Sequence, residues 1–315
     1  MPPLGPASEV ILKSGQKITG KIVARTDKYI KIDTGIGIAV TYYTDEINKI
    51  QEEQKVLSPP PSVTSSLSDP YIPGWQLVWH DEFDGSEVDP NKWTFEIGNG
   101  DNGWSNGQMD YATSRPENVD IQDGQMVLTV RQEEYQGFHY TSSRMVTRDK
   151  LDFKYGRIEI RAKALATPGV GLAFWLLGSN YRDPAWTWPK CGEIDVLEIE
   201  GRDPGRVLGT AHFEENGSHH MSQGSYRLPD GEKFSDDYHT FAIEWDENQI
   251  VWYVDSAKIN TFDISRPFDG QQPFNNNFYL VLNTAVGGHF WREPDDTSVF
   301  PATAYVQWVR IYKKA

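Results

Sequence analysis

The sequence predicts an all-β protein, a two-sheet β-sandwich preceded by a small all-β unit. Three observations carry this. Short β-branched, aromatic or alternating runs recur from residue 126 to residue 312 with turn residues between them, and no stretch sustains a helical period. The segment Ser58-Pro59-Pro60-Pro61-Ser62-Val63-Thr64-Ser65-Ser66-Leu67-Ser68 reads as a semi-stiff spacer, because three prolines favour an extended chain and the serines loosen it. Tryptophan is partitioned across that spacer: all 11 lie at Trp75 or beyond. The resulting plan is a small unit over residues 8–56, a linker over 57–70 and the large domain over 71–315.

In the small unit, Glu9–Lys13, Lys17–Arg25, Lys28–Thr34 and Ile36–Tyr43 alternate or are β-branched. Ser14-Gly15 and Thr34-Gly35 punctuate them as turns. Thr44–Glu53 reads as a last strand or a short helical turn. The pattern resembles a small SH3-like or Sm-like barrel, and at about 48 residues it is marginal as an independent unit. It lacks the Trp that sugar stacking usually wants, so anchoring, spacing and partner binding stand beside carbohydrate binding as its role.

In the large domain the expected strands are Met126–Arg131, Gly156–Ala162, Leu172–Leu177, Ile194–Ile199, Thr240–Trp245, Ile250–Val254, Phe278–Leu282 and Val306–Tyr312. Trp79, Trp245, Trp252 and Trp308 read as core. Net charge is −15, and residues 1–69 balance eight acids against eight bases, so residues 70–315 carry all of it. So acidic a domain disfavours nucleic acid, anionic membranes and sulfated polysaccharides as partners. No run approaches the ~18 apolar residues of a membrane span. Met1-Pro2-Pro3-Leu4-Gly5-Pro6 shows neither a basic nor an apolar leader region. The single cysteine, Cys191, excludes an intrachain disulfide and reads as a small core residue rather than a reactive thiol.

The chemistry concentrates in Gly192-Glu193-Ile194-Asp195-Val196-Leu197-Glu198. From Glu193 to Val196 acids alternate with aliphatics, the period of a strand with one polar face, so Glu193 and Asp195 point the same way. Strict alternation sends Glu198 to the other face. One inserted residue, a β-bulge, returns it, and bulges are over-represented beside active sites. A solvated acidic strand explains this pattern as well as a catalytic one does. The catalytic alternative is retaining glycoside hydrolysis, which needs two carboxyl groups about 5–5.5 Å apart; a third acid between them tunes both.

The run Trp188-Pro189-Lys190-Cys191-Gly192-Glu193-Ile194-Asp195-Val196-Leu197-Glu198 resembles the signature of glycoside hydrolase family 16, laminarinase-like branch, whose pattern is E-x-D-x-x-E. Trp79-His80-Asp81-Glu82-Phe83-Asp84-Gly85, Arg115-Pro116-Glu117-Asn118-Val119, Lys154-Tyr155-Gly156-Arg157-Ile158-Glu159, Leu282-Asn283-Thr284-Ala285-Val286-Gly287-Gly288 and Val309-Arg310-Ile311-Tyr312 resemble further motifs of that family, in order. Together they cover about residues 72 to 313. The resemblance implies a concanavalin A-like jelly roll with an open cleft. It further implies a retaining endo-β-1,3-glucanase acting on laminarin-type glucans by double displacement, with Glu193 as nucleophile, Glu198 as general acid/base and Asp195 between them. Mixed-linkage β-1,3-1,4-glucan, a β-galactan, transglycosylation and a non-hydrolysing glucan-binding protein remain alternatives.

Aromatic rings stack on pyranose faces, so Trp104, Trp175, Trp186, Trp188 and Trp291 are candidate stacking residues. The resemblance adds His212 beside the acids, with Asn106, Arg144 and Asn283 as hydroxyl ligands. His219-His220 looks like a metal pair, but adjacent residues on a loop project apart and no partner has ligand spacing. Gly171-Leu172 runs straight into Ala173-Phe174-Trp175 where the family often interposes Trp-Pro, which removes a subsite residue. The family also often binds calcium on the convex face. Glu82 is the candidate ligand, but Gln307 stands where an Asp is usual, and an amide oxygen is the weaker donor. No organic cofactor is implied. The expected partner is a neutral β-glucan, the expected state a monomer, and the family implies a secreted or cell-surface protein.

Overall fold

The computed structural model describes residues 8–13, 17–25, 28–33, 39–44, 47–52 and 72–315. They fall into two compact units, Met1–Leu67 and Ser68–Ala315. The turns at Ser14-Gly15 and Thr34-Gly35 and the proline-rich spacer lie outside the described residues.

The first unit is a five-stranded antiparallel sheet in the order Ala39–Tyr43, Tyr29–Asp33, Lys17–Arg25, Ser8–Leu12, Ile47–Glu52. Its last strand returns to pair with its first, Val10 facing Ile50. The segment that read as strand or helical turn is therefore a strand. Val10, Ile18, Ile30 and Ile32 form its buried apolar cluster, assembled from alternate residues of three strands.

The second unit is a β-sandwich. One sheet has seven strands in the order Ser218–Arg227, Arg206–Glu215, Glu193–Glu200, Val170–Gly178, Phe278–Val286, Arg144–Val146, Thr94–Phe95. The other has ten and is centred on Gly156–Lys163 and Ala302–Lys314. All eight strands expected from the large domain are present, most extended by a residue or more. The inner faces meet in one apolar core that includes Leu172, Phe174 and Leu176 from the seven-stranded sheet and Ile158, Ile160 and Val309 from the other. Trp245 and Trp252 are fully buried there, whereas Trp308, expected in the core, lies on the outer face with the Arg310 guanidinium 4.0 Å from its ring centroid. Trp79 is partly buried against the core.

The family resemblance places His212 on a strand after the acids, and that strand, Arg206–Glu215, forms a hairpin with Ser218–Arg227, which the sequence did not reveal. The second of these, SHHMSQGSYR, has no buried residue, so it lacks the apolar alternation that marks a strand. Trp252 ties the two sheets together. Its indole crosses the core, and Nε1–H donates to the backbone oxygen of Asp195 at 2.7 Å. Gly209 makes room for that ring: a Cβ there would lie 2.4 Å from Trp252 Cδ1.

Candidate active site

The site grows from the strand Glu193–Glu200. In its pairing with Val170–Gly178, Trp175 faces Asp195 while the preceding Phe174 faces Leu197, so Val196 is the extra residue. The pairing with Arg206–Glu215 shifts at the same place, between Asp195 and Glu198. Val196 and Leu197 are consecutive, and both are buried in the sandwich core. Two successive inward side chains reverse the parity of the strand, and Glu198 emerges on the same face as Glu193 and Asp195. The spacing of the three acids is thus realised by a bulge whose first carbonyl Trp252 holds.

These acids lack cationic partners. Among the described residues no lysine or arginine pairs with any of them, and the nearest group able to carry positive charge is His212. Its Nε2 lies 3.1 Å from Asp195 Oδ2 and 3.9 Å from Glu193 Oε1. Asp195 is 2% exposed, and Oδ2 has no well-aligned hydrogen-bond donor. Trp188 Nε1–H donates to Glu193 Oε2 at 2.9 Å. Thr210 donates to Glu198 Oε2 at 3.3 Å and accepts from Gln223 Nε2 at 3.2 Å. Burial, and after it the charge of Asp195, pushes the Glu193 carboxyl up to about 8. Burial raises Asp195 too. Glu198 is pushed well above the carboxylate range by burial first and then by Asp195. Three carboxyls so placed cannot all ionise near neutrality, so the cluster keeps a proton for general acid work while one member remains available as a nucleophile.

Several of the expected residues lie on the cleft sheet around the acids, but Arg144 and Asn283, expected as hydroxyl ligands, are buried at 8% and 4% exposure and engaged by protein partners. Trp188 is 48% exposed at the rim. Trp175 lies opposite Asp195 and donates from Nε1 to Asn283 Oδ1 at 2.8 Å. Arg144 is flanked by Trp104 and Trp175, its guanidinium 4.5 and 5.1 Å from their ring centroids. Glu96 accepts from Arg144 Nε at 2.7 Å and from Arg148 Nη1 at 2.7 Å. Trp104 sits in a left-handed turn at φ 55°, and Gly100 makes way for its ring, since a Cβ there would lie 2.5 Å from Trp104 Cε3. Asn106 belongs to the same loop, its carbonyl packed against Gly288.

Other expectations need correcting. Trp291 is not an open stacking ring: it is 3% exposed, packed against Ala173, Ala285 and Trp175 and covering Gly171. Its neighbour Phe290, which the sequence did not single out, is the exposed ring there. Trp186 lies on the short turn Pro184–Trp186 and packs against the Leu177, Cys191 and Tyr279 cluster. Cys191 is fully buried, and burial pushes its thiol up to about 12, in keeping with a core role. His219 and His220 lie on a strand rather than a loop, and His219 Nε2 sits 2.8 Å from His212 Nδ1. Thr210, Gln223 and Glu96 were also missed, having no local motif to flag them.

The convex-face residues do not fit calcium. Both carboxylate oxygens of Glu82 accept from Arg310, at 2.8 and 2.7 Å. Gln307 Oε1 accepts from Arg161 Nε at 2.8 Å. Each candidate oxygen donor is committed to a guanidinium, which supplies the positive charge a cation would bring.

Comparison with known proteins agrees with this geometry. The family model "Glycosyl hydrolases family 16" matches residues 106–310, a span that contains the whole acid-bearing strand. The chain is 38% identical over 270 residues to glucan endo-1,3-beta-glucosidase A1 of Niallia circulans, covering 78% of this chain but only 39% of that longer protein. It is 38% identical over 251 residues to a beta-glucanase of Rhodothermus marinus, covering 76% of this chain and 86% of that one. Among solved structures, the laminarinase catalytic domain of Thermotoga maritima MSB8 superposes with a TM-score of 0.69 at 41% identity, covering 76% of this chain and 99% of that domain. With the bulged acid strand, the sandwich that carries it and these matches in agreement, the chain belongs to glycosyl hydrolase family 16.

Proposed function

We propose that the chain is a retaining, endo-acting β-1,3-glucanase that cleaves laminarin-type glucans. The observation that carries the mechanism is the bulge at Val196, which gathers Glu193, Asp195 and Glu198 on one face without a lysine or arginine among the described residues. The substrate class is supported by the relatives and the laminarinase structure above.

In this reading a glucan chain lies along the cleft sheet, one pyranose against the exposed Trp188 ring. Glu193 attacks the anomeric carbon while Glu198 protonates the departing glycosidic oxygen, giving a covalent glycosyl-enzyme. Glu198, now ionised, takes a proton from the incoming water, which releases the sugar with its original configuration. Trp188 Nε1–H steadies the Glu193 oxygen it contacts. Asp195, between the glutamates, follows their charge: its own ionisation opposes that of either neighbour. We further propose that the enzyme works outside the cell as a monomer, since its polymeric substrate is not taken up intact. No described helix is long and apolar enough to cross a membrane.

The test is product analysis on laminarin, curdlan, lichenan, agarose and κ-carrageenan, with NMR of the first-formed anomer. The proposal expects short oligosaccharides from laminarin and curdlan and an initial β-anomer. Products from the galactans alone would replace the substrate and keep the mechanism. An initial α-anomer would overturn the mechanism, and binding without products would make the chain a glucan-binding protein.

A further inference from the structure

His219 stands outside the roles assigned so far. It lies on the edge strand Ser218–Arg227, exposed on the cleft face, and makes two contacts there. Its Nε2 is 2.8 Å from His212 Nδ1. The ring centroids are 5.0 Å apart and the planes 25° from parallel, which suits a nearly in-plane hydrogen bond between imidazoles. Its ring also lies 4.7 Å from that of Trp188, the residue that donates to Glu193. One side chain therefore touches the supports of two different catalytic acids.

We propose that His219 is a positioning residue that lets a neutral His212 match either protonation state of Asp195. This rests on the glycosidase reading above. The hydrogen bond between two neutral imidazoles runs in either direction, because each ring has one donor and one acceptor nitrogen. When Asp195 is ionised, His219 Nε2–H donates to His212 Nδ1, and His212 Nε2, 3.1 Å from Asp195 Oδ2 but not aligned on it in the free enzyme, turns its N–H onto that oxygen. When Asp195 is protonated, its O–H donates to His212 Nε2, His212 Nδ1–H donates to His219 Nε2, and His219 Nδ1–H faces solvent. The passage from the second state to the first moves three protons: Asp195 to His212, His212 to His219, and His219 to water. Both rings stay neutral throughout, so no imidazolium is left beside the glutamates. Burial, followed by the neighbouring imidazoles, holds the His219 pKa below the ordinary histidine value, which favours its neutral form.

Two substitutions separate the hydrogen bond from the ring. His219→Phe keeps an aromatic ring against Trp188 and removes the hydrogen bond. His219→Gln keeps an amide that donates or accepts after a flip and removes the ring. His219 is exposed on an edge strand, so both variants should fold. On laminarin, the Phe variant should lose about tenfold in kcat at nearly unchanged KM, the rate equivalent of one hydrogen bond. The Gln variant should recover kcat to within about threefold and raise KM, because Trp188 loses its neighbour. Nitrogen-15 NMR of His212 gives a readout independent of turnover: wild type and the Gln variant should share one hydrogen-bonded Nδ1 signature that the Phe variant lacks. A Phe variant with wild-type kcat and an unchanged His212 signature would overturn the proposal, as would a Gln variant as impaired as Phe. An inactive wild type that still shows the imidazole pair by NMR would remove the glycosidase reading while leaving the pair intact.

Discussion

On the outer sheet, Glu159 lies 2.6 Å from Arg157, and Arg310 grips Glu82 through both oxygens. On the cleft sheet, Glu193, Asp195 and Glu198 have one neighbouring imidazole and no lysine or arginine among the described residues. Even within the cleft sheet the contrast recurs, because Glu96 sits between two arginines. Burial alone would push Glu96 up, but Arg144 and Arg148 bring its carboxyl below the usual value. The same residue types are thus held charged at one place and forced toward neutrality at another. A cluster of buried acids without a lysine or arginine is the kind of place where a proton comes and goes.

That contrast can be broken at either end. Glu193→Gln and Glu198→Gln should each cost about a thousandfold or more in kcat on laminarin, the scale of losing a positioned acid, base or nucleophile. Circular dichroism should show the fold unchanged. At the paired end, Glu96→Gln should destabilise by about 3–5 kcal/mol in urea unfolding, because it leaves two arginines facing an uncharged partner.

The pH dependence of stability carries opposite signs at the two places. The Glu193 carboxyl is raised in the folded state, so its contribution is fully present below the unfolded value of 4.5 and is lost as pH rises through about 8. Glu193→Gln should therefore gain about 1–3 kcal/mol over wild type at pH 8 and lose that advantage below pH 4. Glu96 is lowered in the folded state, so what it contributes is present above 4.5 and fades on acidification. The Glu96→Gln penalty should shrink as pH falls.

Smaller effects sharpen the picture. Trp252→Phe removes the donor to the Asp195 carbonyl at the bulge and should cost about 1–3 kcal/mol. It should also lower kcat, since the bulge sets the direction of Glu198. The smallest expected effect is that of a chelator. With Glu82 and Gln307 occupied by arginines, EDTA should shift Tm by less than about 1 °C, whereas a bound calcium at saturating concentration contributes several times that.

The acid-bearing strand was legible because its pattern is local. Six residues show the acids and their odd spacing, while the choice between a solvated face and a bulged site came from the family motifs around them. The apolar strands were legible for the same reason, since alternation reports a face packed on a core. The edge strand carrying His219 was not, because none of its residues is buried and their polarity imitates a loop. Trp291 was misplaced because a loop address says nothing of the groove left by Gly171, into which its ring settles. Thr210, Gln223 and Glu96 became visible only through cross-strand register, which sets residues far apart in sequence side by side.

In the proposed mechanism Glu193 attacks and Glu198 exchanges protons. Azide rescue tests it most directly. With an activated β-glucan substrate, Glu198→Ala in azide should regain turnover and release a β-glycosyl azide, because azide attacks the covalent intermediate. Glu193→Ala should instead give an α-glycosyl azide, because azide takes the place of the missing nucleophile. The reverse assignment of anomers would exchange the two roles, and rescue of neither variant would contradict the account.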